Sequence, residues 1–303
     1  MITKPVVPAS PTVAIPIGPT AEEWRAMTPD ERQRFLVNVN EALSDPQNTM
    51  GEGRPHKKVK TRALDMLGLH FRAMGRVVYL AEEMSVVYPG ETAFTPDLLA
   101  VVGVEEPEDD ERMAWVVLDE KRGLDLVIEV LHMGDRNKDL VANVERYARL
   151  GIPEYFVYDR GRQQIFGYRL TSAGSMRYQR IVPQSGRYSS TVLGLDLALQ
   201  GGRLRFFQGM AELFGTSDLI GRITGMMDEL EAKAEQATAK AEQALAAMRA
   251  TIVALLEARG IACPDDARAQ LSSCDDLPTL QRWLMRATTA VSAAAVFQGE
   301  PTG

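Results

Sequence analysis

Residues 125–159 read DLVIEVLHMGDRNKDLVANVERYARLGIPEYFVYD. The run Leu126–Leu131 is short, apolar and rich in Val and Ile, as sheet strands are, yet it carries one acid, Glu129. From Asn137 onward the period changes. Leu140, Val144 and Ala148 share one helical stripe, and Gly151 followed by Pro153 stops that helix before a second strand, EYFVYD. A strand, helix, strand crossover of this kind joins parallel neighbours in one sheet. The other strand-like runs, VVYLAEE, MSVVY, PDLLAVVGV, WVVLD, QQIFGYRL and MRYQRIV, lie close together and suit antiparallel pairing. The expected fold is therefore α/β, a mixed β-sheet flanked by helices.

Upstream, Thr20 with Glu23 and Thr28 with Glu31 match capping boxes, and Pro29 suits a first helical turn, so two short helices are expected over about 21–44. Val59, Ala63, Leu64, Met66, Leu67, Phe71 and Met74 recur at three- and four-residue intervals, which predicts an amphipathic helix. Its leading edge, RPHKKVKTR, is the most basic patch in the chain. Beyond residue 219, Met227, Leu230, Ala234, Ala237, Ala241, Ala244, Met248, Ile252 and Leu255 alternate three and four apart, and AKAEQAT is followed directly by AKAEQAL. This predicts a C-terminal coiled-coil helix over 219–258 and a small helical tail over 259–303. Before them stand a flexible, extended Pro-rich arm at 1–20 and a sheet domain at 21–215. The heptad seam implies a homodimer through residues 227–255; a long helix folded back on its own domain is the alternative.

The formal charge of −7 over 303 residues opposes attraction of the whole protein to nucleic acid, although a local patch can still bind phosphate. Both cysteines, Cys263 and Cys274, lack a histidine partner nearby, which excludes a disulfide framework and a zinc site and fits a reducing cytoplasm. Prolines at 5, 8, 11, 16 and 19 interrupt the apolar N-terminal stretch, and no later run reaches membrane-spanning length.

An acid inside an apolar strand is costly as a lone ion, so it is paired, protonated or metal-bound. Pro96-Asp97 opens a neighbouring strand. Carboxylates from two adjacent strands, with a backbone carbonyl between them, make a hard oxygen site suited to Mg²⁺. Asp125 falls on the same side as Glu129 by alternation, but at the solvent end of the strand.

TPDLLAV, then DLVIEVL, then ERYARLGIPEYFVYD, in this order and spacing, resemble the Uma-type putative restriction endonucleases of bacteria, members of the PD-(D/E)XK nuclease superfamily. The resemblance covers about residues 25–200. It implies a restriction-endonuclease-like sheet, and a Mg²⁺- (or Mn²⁺-) dependent DNA endonuclease acting through a metal-activated water. Asp97 and Glu129 would bind the metal, with the carbonyl of Val130 as third ligand. The strand position where such nucleases keep a lysine holds Leu131, and the helix position to which many relatives have moved it, four before Tyr147, holds Asn143. Lys138 is the expected replacement. Glu52, Glu83, His132 and Asn143 are expected auxiliaries, and Arg54, His56, Lys57, Lys58 and Lys60 are expected to contact the DNA backbone. Because both lysine positions are vacant, the alternative is a catalytically impaired binding or assembly module that dimerises through its coiled coil.

Overall fold

A computed structural model describes residues 13–45, 54–131, 136–172 and 174–297. The chain forms two compact units, Met1–Leu219 and Ile220–Gly303. In the first, α1 (Ala21–Ala26), α2 (Pro29–Ser44) and α3 (Arg54–Ala73) precede β1 (Val78–Glu82), β2 (Val86–Val87), β3 (Leu98–Val102), β4 (Trp115–Val116), the single turn α4 (Val117–Glu120) and β5 (Leu126–Leu131). A π-helical turn at Lys138–Ala142 runs into α5 (Asn143–Arg149), followed by β6 (Glu154–Asp159), β7 (Gln164–Leu170) and β8 (Tyr178–Arg180). The strands β9 (Tyr188–Ser190), β10 (Leu195–Gln200), β11 (Arg203–Gln208) and β12 (Ala211–Glu212) complete the sheets.

The fold is α/β, with a six-stranded mixed sheet in the order β1-β3-β5-β6-β7-β8 flanked by helices. The crossover through α5 produces the predicted parallel pair, β5 with β6, in register from Leu126 opposite Glu154 to Leu131 opposite Asp159; its other neighbours pair antiparallel. Alternation along β5 splits the core into two layers. Ile128 and Val130 join Ala63, Leu67 and Phe71 of α3 on one face, whereas Val127 and Leu131 join Tyr147 of α5 and Tyr155 on the other.

Both N-terminal capping boxes form, each threonine hydroxyl taking the N–H of the glutamate three residues on. Within the segment read as an extended arm, residues 1–12 lie outside the described residues, and Pro16 to Gly18 are tied down. Gly18 donates to the carbonyl of Glu91, Gly90 donates to Gly18, and Ala93 donates to Pro16. A β-carbon at Gly18 would stand 2.1 Å from the Tyr88 carbonyl oxygen, so only glycine fits there. WVVLD was expected as one strand, but pairing ends at Val116 and the chain coils into α4.

The second, four-stranded antiparallel sheet, β12-β11-β10-β9, is an addition to the sequence reading. Its hairpin β10–β11 turns at Gly201 and Gly202, both with left-handed φ (+56° and +70°), the requirement of a tight two-residue turn. Glu154, fully buried at the start of β6, fastens the two sheets. Its carboxylate pairs with Arg169 Nε at 2.7 Å and accepts from the Ser190 and Thr191 hydroxyls and the Thr191 N–H.

The 43-residue helix α6 (Thr216–Ala258), all but its first four residues in the second unit, leads to α7 (Asp265–Ser272), α8 (Leu277–Ala287) and α9 (Ala293–Phe297). Ile252 and Leu256 are buried with Leu271, Leu280, Trp283 and Val296, and Met248 and Leu255 pack against them. Each fully buried side chain here contributes about 1.5–3 kcal/mol. The last part of the expected seam is thus occupied within its own unit. The apolar side chains Ile223, Met227 and Leu230 remain 58%, 59% and 63% exposed. No helix among the described residues is long and apolar enough to cross a membrane.

Replacing Glu154 with alanine would strand buried donors and the Arg169 charge. The variant is expected to lose about 3–5 kcal/mol in urea denaturation, with only part regained by Glu154→Gln, whose amide nitrogen cannot accept and whose neutral head does not pair with Arg169. An unchanged midpoint for Glu154→Ala would show that the second sheet is fastened elsewhere.

Candidate active site

The C-terminal end of β5 and the N-terminal end of β3 meet where their backbone pairing stops, at Leu98 opposite Ile128. One residue beyond, side chains replace the ladder. The Asp97 N–H donates to Glu129 Oε2 at 3.3 Å, and the Val130 N–H donates to Asp97 Oδ2 at 2.6 Å. In a strand the N–H and C=O of one residue leave by the same edge, so the Val130 carbonyl also faces the β3 side.

Asp97 Oδ1 lies 3.3 Å from Lys60 Nζ and 3.4 Å from His56 Nε2. Lys60 is 1% exposed, and its ammonium also pairs with Glu83. Glu83 follows β1 in a left-handed conformation (φ +53°), costly for a side chain with a β-carbon, and donates its N–H to the Asp97 carbonyl. From the other face, the Tyr147 hydroxyl donates to Glu129 Oε1 at 2.9 Å. Asn143 Nδ2 donates to buried Asp139 at 3.1 Å, and Tyr155 donates to the Asp139 carbonyl at 2.9 Å.

The two acids are shifted in opposite directions. Burial drives the Glu129 carboxyl well above the ordinary range. The charges of Asp97 and Asp139 push it further, against the Lys138 charge and the Tyr147 hydrogen bond. Burial also acts on Asp97, but the His56 contact, the Lys60 charge and the Val130 N–H outweigh it and keep that carboxyl below its ordinary value. Burial beside Glu129 raises the Tyr147 phenol, which remains a donor.

The structure thus brings together Asp97, Glu129, Val130, Glu83 and His56 from the sequence reading, and it relocates Lys60. Lys60 was expected on a basic DNA-facing surface; it is buried because it stands three and seven residues before Ala63 and Leu67, on the apolar stripe of α3. Its position on that stripe was the signal that the clustering of basic residues hid. Lys57 and Lys58 are exposed. Lys138 is exposed on the π-helical turn and touches Glu129 only through its charge, with no hydrogen bond or ion pair to either acid among the described residues. Leu131 is 3% exposed, in the core beside Val127 and Tyr147. Asn143 serves Asp139. Glu52, His132 and the Arg54 side chain lie outside the described residues. Sequence reasoning used Asp139 and Tyr147 to mark the helix face of Asn143 but gave neither a role at the acids, although 139, 143 and 147 are successive fours on that face.

Among family models, residues 45–200 match Uma2, described as putative restriction endonuclease. Among solved structures, the chain is similar to a crystal structure of a putative nuclease belonging to DUF820 from Anabaena variabilis ATCC 29413. That similarity has 14% identity and a TM-score of 0.37, and covers 48% of this chain and 76% of that one. The comparison with curated proteins found no match. The family match takes in just over half of the chain, from before α3 to the end of β10, and with it Asp97 and Glu129. The chain belongs to the Uma2 family of putative restriction endonucleases.

Proposed function

We propose that this chain is a nuclease that hydrolyses phosphodiester bonds of DNA with a divalent cation, Mg²⁺ or Mn²⁺, at Asp97 and Glu129. The observation that carries the reading is the buried Glu129 carboxylate joined by one backbone hydrogen bond to the partly buried Asp97, with a lysine ammonium 3.3 Å from Asp97. The donor set fits the ion: two carboxylates and the Val130 carbonyl are hard oxygens. Among the described residues no group of three or more His, Cys, Asp or Glu side chains could hold a metal. Mg²⁺ takes one or two carboxylates and fills its remaining positions from water and substrate phosphate. A bound cation would polarise the phosphoryl group and acidify the attacking water.

The chain's own residues supply the rest. Tyr147 and the Asp97 N–H fix the two Glu129 oxygens, and His56 with the Val130 N–H fixes Asp97. Lys60 fills the role left vacant at Leu131 and is better placed for it than Lys138: its ammonium already stands at the acids, poised to hold the attacking water or the developing charge on phosphate. Asp97→Ala and Glu129→Ala are each expected to abolish metal-dependent nicking of plasmid DNA and to remove Mn²⁺ binding by calorimetry. Activity surviving both changes would reject the assignment.

Lys60→Met is expected to lower nicking by about a hundredfold or more, and Lys138→Ala by only a few-fold. Since Lys60→Met leaves a buried charge on Asp97, Lys60→Arg and thermal melts separate a folding loss from a catalytic one. Loss on Lys138→Ala with activity retained in a folded Lys60 variant would return the role to Lys138.

A second reading, a binding module with impaired catalysis, is favoured by Leu131 in the core and Asn143 committed to Asp139. It predicts DNA binding with no Mn²⁺ uptake at millimolar concentration. The proposal also includes a homodimer through α6, whose exposed apolar side chains continue into the AKAEQAT–AKAEQAL repeat, a surface complementary to a second copy. Changing Ile223, Met227 and Leu230 to glutamate is expected to convert dimer to monomer in sedimentation equilibrium, with helix content unchanged by circular dichroism. A wild-type monomer at high micromolar concentration would exclude that dimer.

A further inference from the structure

The face of α3 opposite Lys60 borders a cavity of about 340 Å³ in the first unit, closed by the end of β6 and the β10–β11 hairpin. Five cations line it: Lys58 and Arg62 from α3, Arg160 after β6, and Arg203 and Arg205 from β11. Two acids line it as well, and both are committed. Asp65 accepts from the Thr216 N–H and hydroxyl at 2.7 Å, and Asp218 pairs with Arg205 at 3.3 Å. Lys58, Arg62 and Arg203 make no ion pair among the described residues. Arg160 carries a buried Nη1 with no hydrogen-bond partner there. A buried guanidinium N–H left unmatched costs free energy until an acceptor arrives. In a chain of net charge −7, this local excess of positive charge opposes the overall balance, as five cations against two acids leave +3.

The cavity is also tied to the acid site through the backbone. The Arg160 N–H donates to the Leu131 carbonyl at 2.7 Å, two residues beyond Glu129 on β5. Lys60, at the acids, and Lys58 and Arg62, at the cavity, share two turns of α3.

The geometry points to a second phosphate site, separate from the Asp97–Glu129 pair, in which the guanidinium groups of Arg62, Arg160 and Arg203 take backbone phosphates of the nucleic-acid strand. Planar guanidiniums match phosphate oxygens two at a time, which a lysine point charge does not. The identity of the strand as ligand rests on the nuclease reading; the phosphate chemistry of the cavity does not.

The test uses the full chain and a labelled 20-base-pair DNA duplex with EDTA, so that binding is read by fluorescence anisotropy without cleavage. The double variant Arg62→Ala, Arg203→Ala is expected to raise Kd at least about tenfold and to lower the slope of log Kd against log salt by about two. Arg34→Ala, Arg177→Ala, which removes two exposed charges outside the cavity, is expected to do neither. Equal losses in the two variants, or none in the cavity variant with its melting temperature unchanged, would overturn the proposal. Pyrophosphate is titrated in parallel: tight uptake that depends on Arg62 and Arg203, together with duplex binding indifferent to them, would assign the cavity to a small phosphorylated ligand and overturn the strand assignment. Loss of duplex binding in the cavity variant of a chain that shows no nicking would sink the nuclease reading alone; nicking with no cavity effect would sink this one alone.

Discussion

The constraint on which the first unit depends is the burial of the Glu129 carboxylate, 5% exposed, in the middle of a sheet. A lone carboxylate there would cost several kcal/mol, and the surrounding structure is what makes it tolerable. One oxygen is held by Tyr147 and the other by the Asp97 backbone, and both donors depend on larger elements being in place. Tyr147 requires α5 to lie across β5. The π-helical turn before it, closed by the Asn143 N–H on the Lys138 carbonyl, sets the face on which Asp139, Asn143 and Tyr147 align. Turns of that kind are uncommon and recur at functional sites.

Helix α3 divides the charge of the molecule in two. Its inner face carries His56 and Lys60 to the acids, where they pair at close range with Asp97 and Glu83. Its outer face carries Lys58 and Arg62, which make no ion pair among the described residues and border the cavity. Inner charges of this kind are screened little by salt and fix geometry, whereas the outer ones act on approaching phosphate and are sensitive to ionic strength. A single amphipathic helix therefore carries one set of basic residues at the acids and another at the cavity.

Much of this was legible in the sequence because it follows from periodicity. The crossover around Glu129, the two capping boxes and the stripe of α3 are local patterns, and the structure contains each of them. The acids were legible through a cost: Glu129 among Val and Ile demands a partner wherever it is found. What escaped were properties that arise only when distant segments meet. The pairing of Lys60 with Asp97 spans 37 positions, and the Glu154 network joins segments 36 and 37 positions apart. The β10–β11 hairpin escaped for another reason, since its Gly-Gly turn was a readable signal that competed with a charged, uneven alternation in RLRFFQ.

The fate of the missing strand lysine follows from the same geometry. Position 131 lies on the Glu129 face, and in this chain that face is filled by Tyr147, Tyr155 and Val127, so a lysine there would compete with a packed core. Leu131 instead contributes about 1.5–3 kcal/mol of burial. A cation serving the acids needs only to deliver an ammonium, and a four-carbon stem can lie along apolar surface while its charged end reaches a carboxylate. From α3, the stem of Lys60 rests beside the core and its ammonium ends 3.3 Å from Asp97. In this chain the charge beside the acids therefore comes from α3, and position 131 is left to the core.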